Sequence, residues 1–192
     1  MTRIIAGFAG SLTLKVPPSG TRPTSDRVRE AIFSALEARD AIEGARVLDL
    51  YSGTGALGLE AASRGAASVT LVDRSNHASR IGRNNAELVR RRAPRGSGLE
   101  IVVTSAPVQT FLQGTQGEWD LAFLDPPYDL GVVELGHNLD MLVRRLSPGA
   151  TVVVERSARD RSPQWPEGLE LDRRKDYGET AVYWLSTPSE EQ

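Results

Sequence analysis

Cysteine is absent from this 192-residue chain, and lysine nearly so, since the 23 basic residues include only Lys15 and Lys175. Without cysteine there is no disulfide scaffold, thiolate-bound zinc, iron–sulfur cluster or cysteine nucleophile, and a reducing cytoplasm is the expected compartment. Long apolar runs are also missing. No stretch approaches the roughly 20 residues of a membrane span, and the apolar opening from Ile4 to Ala9 is too short, and broken by Gly7, to read as an export signal. Charge of one sign is lacking overall, at 23 basic against 25 acidic residues, which argues against a chain that coats nucleic acid uniformly. Locally the balance differs: between positions 74 and 95 seven arginines (Arg74, Arg80, Arg83, Arg90, Arg91, Arg92, Arg95) face one acid, Glu87. What remains is ordinary for one globular domain, 40% hydrophobic and 25% charged.

Along the chain, residues 3–16 alternate weakly around glycines and read as a small hairpin, broken by Pro17-Pro18-Ser19-Gly20. Thr24-Ser25-Asp26 offers capping oxygens before a helix whose apolar face is Val28, Ile32, Phe33 and Leu36, running to about Ala38. Strand and helix signals then alternate: strands at Arg46–Tyr51, Ser68–Val72, Leu99–Thr104, Trp119–Leu124 and Thr151–Glu155, with helices from Ala56, from Asn76, near Pro107–Leu112 and over Val132–Arg145. Continuous Val, Ile and Leu strands separated by helices predict a parallel sheet covered on both faces. Leu169–Lys175 and Thr180–Leu185, joined by Asp176-Tyr177-Gly178-Glu179, predict an antiparallel hairpin added at the sheet edge. The expected organisation is an extension over 1–40, a main domain over 41–187 and a tail over 188–192.

The sharpest local feature is Asp49-Leu50-Tyr51-Ser52-Gly53-Thr54-Gly55-Ala56-Leu57-Gly58, at a strand end where a helix begins, with Asp73 closing the next strand. The glycine spacing matches a dinucleotide fingerprint, and Asp73 is placed to accept hydrogen bonds from ribose hydroxyls. Asp49 beside the turn repels a pyrophosphate, however, and suits a cationic ligand, while the chain has no room for a dehydrogenase's substrate domain. An S-adenosylmethionine (SAM) pocket satisfies both facts.

Asp125-Pro126-Pro127-Tyr128 follows the strand Trp119–Leu124. The prolines stiffen the loop and leave carbonyls as acceptors. Acceptors at Asp125 and the Pro126 carbonyl can hold both hydrogens of a nucleobase amine and aim its lone pair at a sulfonium methyl, with Tyr128 stacked on the base. This is a displacement driven by positioning and requires no metal. His77 and His137 stand alone in helical contexts and read as surface residues.

These features resemble the Rossmann-like class I SAM-dependent methyltransferases, and Arg3-Ile4-Ile5-Ala6-Gly7, the run Arg22 to Glu30 with Phe33 and Leu36, the glycine loop and the Asp125 tetrapeptide together resemble the RsmD family of bacterial 16S rRNA guanine-N2 methyltransferases. The resemblance implies an α/β fold with a seven-stranded, mostly parallel sheet ending in an antiparallel hairpin, plus a small N-terminal hairpin-and-helix extension covering the cofactor and RNA. It implies N2 of a guanine as acceptor and Asp125, Pro126, Pro127 and Tyr128 as catalytic, with Asp125 also among the cofactor-binding residues. Asp49, Gly53 and Gly55 would hold the methionine part, with Tyr51 and Ser52 alongside. Asp73 would hold the ribose with Arg74 next to it, Ser105 and Ala106 the adenine, and Thr24 and Asp26 the closing segment. Arg3, Arg22, Arg80, Arg83, Arg90, Arg91 and Arg92 are the candidate RNA contacts, Phe8 to Thr13 carrying no basic residue where family members often do. The implied partner is 16S rRNA, in a 30S subunit or assembly intermediate; separately, the lack of a long exposed apolar stripe in the sequence leads to the expectation of a monomer. Methylation of adenine N6 in DNA or RNA, a nicotinamide oxidoreductase and a non-catalytic RNA-binding module remain the alternatives.

Overall fold

The computed structural model describes residues 2–17 and 25–189. After a two-residue ribbon, β1 (Thr2–Arg3) and β2 (Thr13–Leu14), come α1 (Asp26–Glu37), β3 (Arg46–Leu50), α2 (Ala56–Ser63), β4 (Ser68–Asp73), α3 (Asn76–Arg90), β5 (Glu100–Ser105), α4 (Val108–Gly114), β6 (Trp119–Leu124), α5 (Val132–Val143), β7 (Leu146–Ser157), β8 (Glu170–Tyr177) and β9 (Thr180–Ser186). Seven strands form one sheet in the order β5-β4-β3-β6-β7-β9-β8. The first five are parallel, and β9 and β8 pair antiparallel.

Alternation along the central strands divides the core in two. Val47, Leu121, Phe123 and Val153 face a cluster that includes α1, α2 and α3, while Leu48, Leu50, Ala122, Leu124, Val152 and Val154 face α4 and α5. α2 is buried almost all round, as expected of a helix pressed between the sheet and a further layer. That layer is the N-terminal arm, whose Ile4, Ala9, Leu12 and Leu14 join the same cluster as α1 and the sheet. The arm and α1 therefore share one hydrophobic core with α2, α3 and the sheet.

The arm's hairpin is shorter than the sequence pattern predicts. Only Thr2–Arg3 and Thr13–Leu14 pair as strands, because between them Ile4, Gly10, Ser11 and Leu12 bond across tight turns within the arm while four other amides take partners from α2. Ile5 and Ala6 donate their amides to Glu60 at 2.6 and 3.0 Å, Ala9 donates to Ser63 Oγ at 2.9 Å, and Phe8 donates to the Ser63 carbonyl at 2.9 Å. Gly7 sits at φ 79°, where a Cβ would come 1.8 Å from the Ser63 carbonyl oxygen, so the close approach requires glycine.

α1 begins as the capping pattern predicts, with Ser25 Oγ accepting from the Val28 amide, and ends at Glu37, one residue before the expected limit. β7 is longer than predicted, since Leu146 pairs with Trp119 ahead of the apolar run, and α5 is correspondingly shorter. At the other edge β8 is exposed along its length. Arg173, Arg174 and Lys175 lie 5.1–5.5 Å from the ring centres of Trp184, Tyr183 and Tyr177 respectively. Gly178, at φ 62°, and Glu179 form the two-residue turn into β9. No helix among the described residues is long and apolar enough to cross a membrane.

Candidate active site

The chain winds outward from β3 through β4 to β5, then returns to the other side of β3 with β6. Loops leaving β3 and β6 therefore diverge, and the crevice between them lies at the carboxyl ends of the strands. Asp49 pairs with Phe123 and Leu50 with Leu124, which places the glycine loop and the Asp125 tetrapeptide at the ends of neighbouring strands.

Tyr51, Gly53 and Gly55 all take left-handed backbone angles, at φ 62°, 54° and 88°. The loop they form is fixed from β4: Ser52 donates its amide to the Val72 carbonyl at 3.0 Å, and Gly53 donates to Asp73 Oδ2 at 2.8 Å. The other Asp73 oxygen accepts from the Ser75 amide at 2.8 Å, so this carboxylate braces the glycine turn and the entry to α3 together. Asp73 is paired in register with Ser105, whose hydroxyl donates to Asn76 Oδ1 at 2.7 Å, and the Ala106 amide donates to the Asp73 carbonyl. Arg74 is exposed at this strand end.

Gly58 lets α2 settle onto the sheet. A Cβ there would come 2.4 Å from Leu71 Cδ2 and 3.2 Å from Asp49 Cβ. Its amide donates to Asp49 Oδ2 at 2.9 Å. Gly58→Ala is expected to destabilise the fold by about 1–3 kcal/mol through overpacking, measured by urea unfolding. Gly53→Ala meets open space and only the cost of its backbone angle, so a smaller loss there and a larger one at Gly58 is the required order.

Asp49 is buried, and burial drives its pKa up to about 8, with the negative charges of Asp125 and Asp73 adding to the rise and the Gly58 amide opposing it. Three carboxyl groups thus lie within electrostatic reach of one another at the ends of β3, β4 and β6, and a cation beside them would favour the ionised form of Asp49. In the unfolded chain Asp49 ionises near its usual value of 3.8, so between there and about pH 8 the native state binds more protons and stability falls as pH rises. Asp49→Asn removes that dependence. Its melting temperature is expected to gain on wild type steadily from pH 5 to pH 8, and parallel curves would contradict the assignment.

The tetrapeptide loop presents a buried Pro126, an exposed Pro127 and Tyr128 with 68% of its surface exposed. Leu130 closes it by donating to the Pro127 carbonyl at 3.0 Å, and the nearly buried Arg156 of β7 donates from Nη2 to the Leu130 carbonyl at 3.0 Å. Beneath the loop, the Tyr51 phenol accepts from Asn138 Nδ2 of α5, and its ring packs into the core shared by α4 and α5. Burial, with Glu134 nearby, pushes its pKa up to about 12. The Tyr51 side chain is therefore turned to α5, and what Tyr51 brings to the crevice is its backbone turn.

Asp26, in the first turn of α1, binds Arg29 at 2.7 Å and lies 3.8 Å from Arg3. Thr24 and Arg22 lie outside the described residues. Arg80, Arg83, Arg90, Arg91 and Arg92 are all exposed, but Arg90 and Arg91 share Glu87, and Arg90 also donates to the Ile101 carbonyl. Arg80 contacts His77 Nδ1 at 3.2 Å. The sequence reading missed Glu60, Asn85, Asn138 and Arg156, all buried polar groups near the crevice or its scaffold. A signal existed for Asn85, which stands in the apolar stripe Gly82, Ala86 and Val89, and for Glu60, the one charge within α2.

Comparison with known proteins agrees with this architecture. Residues 2–186 match the family profile described as conserved hypothetical protein 95. The chain is 36% identical to Ribosomal RNA small subunit methyltransferase D of Escherichia coli over 93% of this chain and 86% of that protein. The solved structure of the Escherichia coli protein yhhF superposes with a TM-score of 0.81, at 30% identity, covering 98% of this chain and 99% of that one. The fold is shared more distantly with an RNA methyltransferase from Salinibacter ruber, solved in complex with S-adenosyl-L-homocysteine, at a TM-score of 0.62, 22% identity and coverage of 89% and 97%. The crevice thus sits in a class I methyltransferase fold, and the chain belongs to the conserved hypothetical protein 95 (RsmD) family, among whose relatives are small-subunit rRNA methyltransferases.

Proposed function

We propose that this protein transfers the methyl group of SAM to the exocyclic N2 of a guanine in 16S rRNA. The observation that carries the reading is the pairing of β3 with β6, which sets a backbone turn lined by Asp49 and Asp73 beside a proline-stiffened loop headed by Asp125. A dinucleotide pyrophosphate is disfavoured by the acidic groups Asp73 and Asp125 beside the turn, and would further oppose ionisation of Asp49. Bound SAM supplies an electrophilic methyl on positively charged sulfur. Asp49, Gly53 and Gly55, with Ser52 and the Tyr51 turn, hold its methionine part. Asp73, beside Arg74, takes the ribose, and Ser105 and Ala106 flank the adenine. Asp26 and Thr24 belong to the extension over 1–40, which covers cofactor and RNA over the domain 41–187.

In the reaction, Tyr128 stacks on the extruded base while Asp125 and the Pro126 carbonyl accept the two amine hydrogens, turning the nitrogen lone pair toward the sulfonium. A nitrogen–carbon bond forms as the sulfur–carbon bond breaks, its electron pair staying on sulfur. The surplus proton on nitrogen passes to Asp125. Orientation of this kind supplies about 7–11 kcal/mol of barrier lowering in well-placed systems. Arg80, Arg83 and Arg92, with Arg3, Arg22, Arg90 and Arg91 in support, contact phosphates and fix the register of the RNA.

The test offers radiolabelled SAM with naked 16S rRNA, assembled 30S particles and duplex DNA, followed by nucleoside mass spectrometry. Label is expected in N2-methylguanosine from small-subunit RNA. Label appearing as N6-methyladenosine, or in DNA, would overturn the assignment. Thermal protection by NAD rather than by S-adenosylhomocysteine would remove methyl transfer altogether.

A further inference from the structure

Asn85 occupies the middle of α3, on the face that packs inward, and is fully buried. A buried primary amide costs stability unless its donors and acceptor are matched. Here they are. The Lys15 amide donates to Asn85 Oδ1 at 2.8 Å, and Asn85 Nδ2 donates to the Lys15 carbonyl and to the Thr54 carbonyl, both at 3.0 Å. The pair of bonds to Lys15 fixes which end of the amide is which, since the flipped group would set its NH2 against the Lys15 N–H. Toward Lys15 the side chain behaves like the backbone of an adjacent strand. Toward Thr54 it grips the residue between the two left-handed glycines. Gly82, one turn earlier on the same face of α3, lies against the loop too, and a Cβ there would meet the Gly53 carbonyl oxygen at an ordinary contact distance of 3.7 Å.

Two of the arm's attachments flank the glycine loop. Glu60 and Ser63 hold it to α2, the helix that begins where the loop ends, and Asn85 holds its outgoing strand to the loop itself. We infer that Asn85 is a positioning residue that couples the seating of the N-terminal arm to the shape of the glycine loop, so that loosening the arm at Lys15 weakens cofactor binding. This deepens the SAM reading and rests on it for its affinity readout.

The experiment compares wild type with Lys15→Pro, Lys15→Ala and Asn85→Asp. Proline at 15 deletes the N–H that Asn85 accepts from, alanine keeps it, and aspartate keeps the acceptor while losing both donors. S-adenosylhomocysteine affinity is measured by calorimetry well below each melting temperature, and amide exchange at Gly53 and Gly55 is followed in the ligand-free proteins. Lys15→Ala should bind within about twofold of wild type. Lys15→Pro and Asn85→Asp should each lose about tenfold in affinity, the effect of roughly one hydrogen bond, and exchange faster at the glycine amides. Lys15→Pro that is folded, binds as wild type and exchanges unchanged overturns the coupling, and it decides the matter if Asn85→Asp does not fold. Failure of wild type itself to bind S-adenosylhomocysteine defeats the SAM reading instead, leaving the exchange measurement to judge the link between arm and loop.

Discussion

Asp125→Ala is expected to lower kcat by about two to four orders of magnitude, the usual worth of a positioned proton acceptor, while S-adenosylhomocysteine affinity stays within about threefold. The residue leaves β6 next to the glycine loop, and its charge reaches Asp49 strongly enough to raise that group's pKa. In the ligand-free site it acts on Asp49 electrostatically, and under the proposed reaction its effect on turnover would come from direct contact with the amine. Single-turnover kinetics with saturating SAM separate the two. A variant retaining a tenth of wild-type turnover would remove Asp125 from the chemistry and leave the Pro126 carbonyl as the principal acceptor.

Removing the Glu60 carboxylate is the second large effect. It is fully buried, accepts from the Ile5 and Ala6 amides, binds Arg64 Nε at 2.7 Å and lies 3.9 Å from the buried guanidinium of Arg29. Glu60→Ala strips two amides and two cations of their shared acceptor in a site that water does not reach, and breaking one side of a buried ionic cluster costs about 3–5 kcal/mol. Urea unfolding gives the number. The control is Glu37→Ala, which removes only the exposed half of the Arg64 pair and should cost no more than about 1 kcal/mol. Equal losses in the two variants would mean that the arm is not held through Glu60.

The alternation of strands and helices was legible because the determinants are local. Runs such as Val47-Leu48 and Leu121 to Leu124 can be buried only on both faces of a parallel sheet, and the breaks between them are marked by glycine or proline. Both loops at the crevice could be located for the same reason. The arm could not be read so well, since the atoms that replace its ladder, on Glu60 and Ser63, lie more than fifty positions away in sequence. Asn85 and Lys15 are separated by seventy. Tyr51 shows the limit within a motif: the sequence places it in the turn, but Asn138, eighty-seven positions on, decides where its phenol points.

The outer strand of the C-terminal hairpin has a consequence for how copies of the chain meet. A parallel sheet ending at β7 would leave a flat apolar ribbon with unmatched amides and carbonyls, open to docking by the same ribbon from another molecule. β9 covers it, and β8 replaces it with a border of Asp172, Arg173, Arg174, Lys175 and Asp176, whose cations are drawn flat over rings beneath. A neighbour extending the sheet there would have to strip water from this dense row of charges and lift the cations off their rings, so the border discourages edge-to-edge growth.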